Sequence, residues 1–333
     1  MLSRAYFEQL EVLGQRGPGA FLLAQRALHD IEFRLRVIDE YGDYRQVLTP
    51  VPGMLVFGSL SPSGLTAGEV VRRNNDEMAE MVTGHTDRFA GFVAATPVTD
   101  PDAATEEAIR SVRELGALGV QLEEDAINVP LHEDRYDPLF AAMEELGAGV
   151  WLHPFRTPAT PGSPPDTAPF LLWQVFGWTF DTTITISRLI FAGMYDRHPN
   201  LKLIAHHGGG LIPHFSGRVE MMPAFGDLDP SEALSGSWQL GRLKKTPIEY
   251  FRMLYVDTAM FGGEGGVRCV VDFFGPERVL FGTDAPFDTQ GGSIFIPGTI
   301  SDVEGAIDNE AERSAIFQGN VTNLLGLEPT IRS

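Results

Sequence analysis

The sequence predicts an α/β fold with a parallel sheet, and three observations carry that expectation. Short apolar, β-rich runs recur along the 333 residues, each followed by helix-like sequence, which is the pattern of repeated βαβ units. Polar residues able to do chemistry gather at the C-terminal ends of these runs, the face on which a (β/α)8 TIM barrel builds its active site. An open doubly wound sheet gives the same alternation, but no glycine-rich dinucleotide fingerprint follows the early runs, so a barrel is expected.

Seven strands are expected: residues 46–51, 89–96, 119–123, 149–154, 201–207, 253–259 and 278–286. Between them, DAATEEAIRSVRELG places Asp and Glu in a first turn and Gly after a last turn, matching helix start and stop signals. YDPLFAAMEELG, TTITISRLIFAGMYDRHP and the terminal DVEGAIDNEAERSAIFQGN are the other expected helices. A closed barrel needs eight strands, so one is unaccounted for, and Met1 opens directly into an amphipathic helix. The expectation is that the first strand is missing from this chain. Residues 1–333 are expected to form one domain, with loop insertions near 156–180, after His153, and near 223–250.

Composition narrows the function. An apolar share of 43% and a charged share of 21% describe a globular chain able to bury a core. Lys and Arg number 25 against 45 Asp and Glu, a net charge of −20, which argues against nucleic acid or an anionic membrane surface as partner. An anionic substrate would need local positive charge in its site. The single cysteine, Cys269, excludes an internal disulfide and fits a cytoplasmic setting; no signal peptide or membrane-spanning stretch is read. Cys269 reads as a buried helix residue without an activating histidine nearby in sequence, and the FGGEGG stretch around Glu264 as a loop.

Three residues stand out together. His153 ends a strand in GVWLHP, Asp284 follows one in LFGTDAPF, and His207 precedes three glycines in AHHGGG. Two imidazoles and a carboxylate suit zinc or another divalent transition ion with an open coordination position. Strand alternation lets only one of His206 and His207 face inward, and a one-residue change of phase exchanges them. His29, His85, His132, His198 and His214 lack matching partners and read as structural.

HPF, AHHGGGLIPHFSGR and LFGTDAPF resemble the motifs of the amidohydrolase superfamily, in the branch of aminocarboxymuconate-semialdehyde and γ-resorcylate decarboxylases. The resemblance extends over NNDEMAEMVTGHTDRFAGFVAATP and TFDTTITISRLIFAGMYDRHPNLKLIAHH. It implies a metal-dependent TIM barrel whose first strand carries a His-x-His pair, a pair this sequence does not contain. It further implies His153, Asp284 and His207 as ligands of one ion, zinc or manganese, with His207 and Asp284 as the catalytic acid/base groups. Arg218 is implied to reach the substrate of a neighbouring subunit, hence a homodimer, with Phe287, Trp173 and Trp178 lining the substrate pocket. The semialdehyde decarboxylases carry a second carboxylate-binding arginine before the second strand; the stretch GQRGPGAFLLAQRALHDIEFRLRVID is short and its arginines do not align to it, which leaves a muconate substrate in doubt.

The leading expectation is therefore non-oxidative decarboxylation of a small aromatic or unsaturated carboxylic acid. Hydrolysis of a lactone or amide on the same fold is the alternative reaction. A metal-free, non-catalytic barrel is the third, motivated by the absent pair.

Overall fold

In the computed structural model, which describes residues 4–13, 18–51, 53, 64–124, 129–156, 171–221, 243–261 and 263–327, the seven expected runs all contain strands. They are β1 (Gln46–Leu48), β2 (Phe89–Ala95), β3 (Gly119–Glu124), β4 (Gly149–Pro154), β5 (Lys202–Ala205), β6 (Tyr255–Asp257) and β7 (Val279–Leu280). Every pairing is parallel and the order is β1-β2-β3-β4-β5-β6-β7, so each connection returns to the neighbouring strand. Among the described residues β1 and β7 are the two edges.

The linking helices obey their local signals. Helix Pro101–Leu115 starts on the Asp100 side chain, which accepts from Ala103 N–H, and ends at Gly116 with φ 72°. Helix Asp137–Leu146 ends on Gly147 at φ 62°. The helix expected across 182–199 breaks after Gly177–Phe191, because Gly193 at φ 77° turns the chain before a short turn, Met194–Arg197. The expected terminal helix is also interrupted: Phe295–Ala306 stops, Asn309 caps a new start at Glu310–Ser314, and a π turn leads into Asn320–Leu325.

One of the expected loops is corrected. GEGG opens helix Gly263–Phe274, whose Val267, Val270, Val271 and Phe274 are buried, so apolar spacing overrides the glycines. Of the two insertions, 157–170 and 222–242 lie outside the described residues. The remainder carries helical turns at Leu172–Val175 and Pro247–Phe251, the latter begun by a Thr246/Glu249 capping box.

Two apolar layers define inside and outside. The larger lies between sheet and helices and includes Phe92, Val120, Leu152, Leu203, Ala205, Val256 and Val279. The smaller lies on the opposite face of the strands: Val93, Trp151, Ile204 and Leu280, joined by Leu324 and flanked by Tyr255. Trp151 sits over Gly149 and Gly119, where a Cβ would come within 2.4 and 2.7 Å of its ring. Side chains two residues apart share a face. The inward series therefore runs from Trp151 to His153, from Ile204 to His206, from Tyr255 to Asp257, and from Leu280 through Gly282 toward Asp284.

Candidate active site

Four polar side chains of that inward series, His153, His206, Asp257 and Asp284, line one cavity of about 370 Å3. This volume falls in the roughly 300–1,000 Å3 range of small-molecule sites. The cavity runs from the C-terminal ends of the strands, at His153, His206, Asp257 and Asp284, down past Trp151 and Ile204 to Leu325, between the edge strands with Gln46 and Val47 on one side and Leu280 on the other. Arg34, Tyr44 and Phe287 complete its working wall.

His153 is buried at the end of β4, and its Nδ1 lies 2.6 Å from the Pro154 carbonyl oxygen. A carbonyl only accepts, so Nδ1 carries the proton and Nε2 keeps its lone pair. Burial, followed by the neighbouring His206 and His207, holds this imidazole well below its ordinary pKa and therefore neutral. The His153 and His206 ring centroids are 4.9 Å apart. His206 Nδ1 is 3.0 Å from Asp257 Oδ2, while its Nε2 is buried without a hydrogen-bond partner among the described residues.

Asp257 is buried and accepts on both oxygens. Its Oδ1 takes the N–H of Gly208 at 3.3 Å and of Ala259 at 3.1 Å. Burial would raise its carboxyl, but the His206 hydrogen bond and the two histidines outweigh that and leave it below the usual range. Asp284, at φ 56°, is pushed up to about 8 by burial and by the charge of Asp257. Gly282 keeps room between them, since a Cβ there would stand 2.9 Å from Asp257 Cβ.

The sequence reading gave the inward place to His207, and the structure gives it to His206. His207 sits one residue on, at φ 55°, in the turn that Gly208 and Gly209 continue at φ 63° and 75°. Its ring stacks on Trp178 at 5.9 Å and 16° and lies 5.3 Å from His153, outside the cavity lining. Burial, opposed by Asp257 and reinforced by His206, pushes it down to about 4.

Trp178 meets His153 edge-on at 5.4 Å and Trp173 at 5.9 Å, so both tryptophans back the histidines without lining the cavity. The Trp178 Nε1–H donates to the Arg156 carbonyl, and Arg156 grips Asp181 with Nε and Nη2, both at 2.7 Å. Phe287 lines the cavity and stacks near Phe21. Arg218 is exposed on the one-turn helix Ser216–Glu220, away from the cavity lining. Cys269 is half-buried, and its Sγ is 3.5 Å from His214 Nδ1, a neighbour 55 residues away that local sequence does not reveal.

Sequence reasoning left His206 as the alternative to His207, did not pair it with Asp257, and missed Arg34. Arg34 is buried on helix Ile31–Asp39 and gives Gln46 Oε1 two hydrogen bonds, at 2.9 and 2.7 Å. Burial lowers its pKa to about 10, so it remains a cation. Arg34 and Arg45 both line the cavity and bring to it the positive charge that an anionic ligand would need in so acidic a chain.

The donor types suit a divalent ion, namely neutral imidazole nitrogens with free lone pairs and a carboxyl group. They are not gathered into a closed site. Among the described residues no group of three or more His, Cys, Asp or Glu side chains is placed to hold a metal ion.

Barrel topology, an inward His/His/Asp/Asp wall and a cavity at the strand C-termini define a (β/α)8-type enzyme site. The chain belongs to the amidohydrolase family, whose sequence profile matches residues 24–327. It is 30% identical over 319 residues to the γ-resorcylate decarboxylase of Rhizobium radiobacter, covering 92% of this chain and 90% of the relative. A crystal structure of 2,6-dihydroxybenzoate decarboxylase complexed with 2,6-dihydroxybenzoate superposes with a TM-score of 0.76 at 26% identity, covering 96% and 95% of the two chains. The fold is shared, at 24% identity and a TM-score of 0.76, with a dihydroxybenzoic acid decarboxylase from Polaromonas sp. JS666 that holds manganese and 2-nitroresorcinol; 97% and 94% of the chains are covered. Within the family, the chain falls in the decarboxylase branch.

Proposed function

We propose that this chain is a non-oxidative carboxy-lyase that removes carbon dioxide from a small hydroxylated aromatic acid. The observation that carries the reading is the convergence of His153, His206, Asp257 and Asp284 on one cavity, in a chain whose relatives are aromatic-acid decarboxylases over nearly their whole length. The reaction needs a proton delivered to the ring carbon that bears the carboxylate. The carbon–carbon bond then breaks, its electron pair returns to the ring, and carbon dioxide leaves. Asp284 and His206 are the cavity groups able to deliver that proton, which stays in the product's C–H bond, and to be reprotonated from solvent for the next turnover; His207 stands behind them against Trp178. Arg34 supplies positive charge at the wall, and Phe287 offers an aromatic face to the ring.

A divalent ion belongs to this reading by likeness to the manganese-bound decarboxylases, zinc being the other candidate. The described donors do not close around one point, and the proton steps belong to the protein groups. The reading includes a homodimer in which Arg218, exposed here, serves the neighbouring site, and a cytoplasmic location supported by the single cysteine. Among the described residues no helix is long and apolar enough to cross a membrane.

The test is product analysis with hydroxybenzoic acids bearing a labelled carboxyl group, in the presence of manganese or zinc. Labelled carbon dioxide and the matching phenol support the reading. Absence of both across monohydroxy, dihydroxy and methoxy-hydroxy acids overturns it.

A further inference from the structure

We infer that Asp257 is the positioning residue of this site: its carboxylate locks the His206 ring in the Nδ1–H tautomer, so that the Nε2 lone pair is presented to the cavity. The catalytic use of that lone pair rests on the decarboxylase reading, whereas the tautomer assignment does not.

Asp257 Oδ1 faces two backbone N–H groups, Gly208 at 3.3 Å and Ala259 at 3.1 Å, and these only donate. That end of the side chain must be an oxygen. Oδ2 is 3.0 Å from His206 Nδ1, and an ionised carboxylate also only accepts, so the ring proton sits on Nδ1. The remaining nitrogen, Nε2, is buried and without a hydrogen-bond partner among the described residues, on a ring that lines the cavity. A buried acceptor left empty is costly unless a ligand completes it.

The surroundings make the arrangement stiff. Asp257 ends β6, and Gly282 closes over its Cβ, leaving no room for a side chain at that position. Gly208 is itself packed, a Cβ there meeting Met260 Sδ at 2.1 Å, so the turn that carries the donating N–H sits close against its neighbours. Among the described residues the His206 ring is thus hydrogen-bonded from its Nδ1 side alone, by a group 51 residues away in sequence.

Asp257→Asn gives a sharp consequence, because asparagine offers one oxygen. The Gly208 and Ala259 N–H groups claim it, the amide NH2 then donates to His206 Nδ1, and the ring proton must move to Nε2. The variant is nearly isosteric, yet it would turn the nitrogen facing the cavity from an acceptor into a donor.

The experiment is nitrogen-15 correlation of the histidine rings at mildly alkaline pH, with the His206 signals assigned by their loss in His206→Gln. Wild type should show the Nδ1–H tautomer, and Asp257→Asn the Nε2–H tautomer. In the decarboxylation assay, kcat of Asp257→Asn should fall by roughly two to four orders of magnitude, the scale seen where a histidine is held in the wrong tautomer, with KM changed less than about threefold. A wild-type Nε2–H tautomer overturns the assignment, and that spectrum decides even if Asp257→Asn does not fold. An unchanged tautomer in a folded Asp257→Asn, or kcat within about threefold of wild type, overturns the positioning role. If wild type releases no carbon dioxide from any acid, the functional reading fails while the ring spectra still decide the tautomer.

Discussion

Asp181→Ala should both destabilise the protein and loosen the aromatic wall behind the histidines. Arg156 and Asp181 meet through two hydrogen bonds of 2.7 Å, with side chains only 17% and 6% exposed. This is a bidentate, largely desolvated pair. It ties the chain just after β4 to helix Gly177–Phe191, and the Trp178 indole N–H completes the clasp by donating to the Arg156 carbonyl. Removing one partner of a buried pair costs about 3–5 kcal/mol, and because Arg156 keeps some contact with water the lower end, about 3 kcal/mol, is expected. At roughly 2 °C per kcal/mol for a chain of this size, the melting temperature should drop by about 6 °C. Scanning calorimetry reads the drop, and tryptophan emission should shift to the red as Trp178 is released from His153 and His207. Asp181→Asn, which keeps an acceptor but no charge, should fall between the two. A melting temperature within about 1 °C of wild type, with unchanged emission, would refute the clasp.

Arg218→Ala should leave the melting temperature unchanged, since the side chain is exposed, yet lower kcat/KM at least about tenfold if it serves a neighbouring site. Equal kcat/KM would refute that role. Glu107→Gln tests a buried network in which Arg110 donates from Nε at 2.8 Å and Nη2 at 2.7 Å, and Asn75 Nδ2 donates at 2.8 Å. Burial alone would raise the Glu107 carboxyl, but these bonds hold it below its ordinary 4.5. Its contribution is therefore complete above about pH 5 and lost as pH falls through the lower folded-state value. Glu107→Gln should be less stable than wild type at neutral pH in urea titrations, with the gap closing toward pH 3; a gap that does not change with pH contradicts this. Gly208→Ala should destabilise the histidine turn, because alanine at φ 63° costs roughly 1–2 kcal/mol and its Cβ meets Met260. A melting temperature at or above that of wild type would show that the turn can relax.

The seven strands were legible because each is a short apolar run, and the site's height in the barrel because His153, His206, His207, Asp257 and Asp284 all follow such runs. The phase at LKLIAHH was not legible. Both faces of β5 are apolar, Leu203 and Ala205 toward the helices and Ile204 toward the interior, so the run offers no contrast from which to choose His206 over His207. Trp151 and Ile204 settle the phase only once they are known to share an inner layer. The pairing of His206 with Asp257 and the approach of Cys269 to His214 join residues more than 50 positions apart, and no local pattern announces either. The helix at GEGG was misread for another reason: the buried positions after the glycines outweigh their low propensity.

The most direct measurement of the central claim is decarboxylation of carboxyl-labelled 2,6-dihydroxybenzoate and its hydroxybenzoate analogues in deuterated water, with manganese present. The account predicts labelled carbon dioxide together with one deuterium at the carbon that lost the carboxylate, and loss of both in His206→Gln. Carbon dioxide from none of these acids, or turnover of lactones and amides without gas, would contradict it.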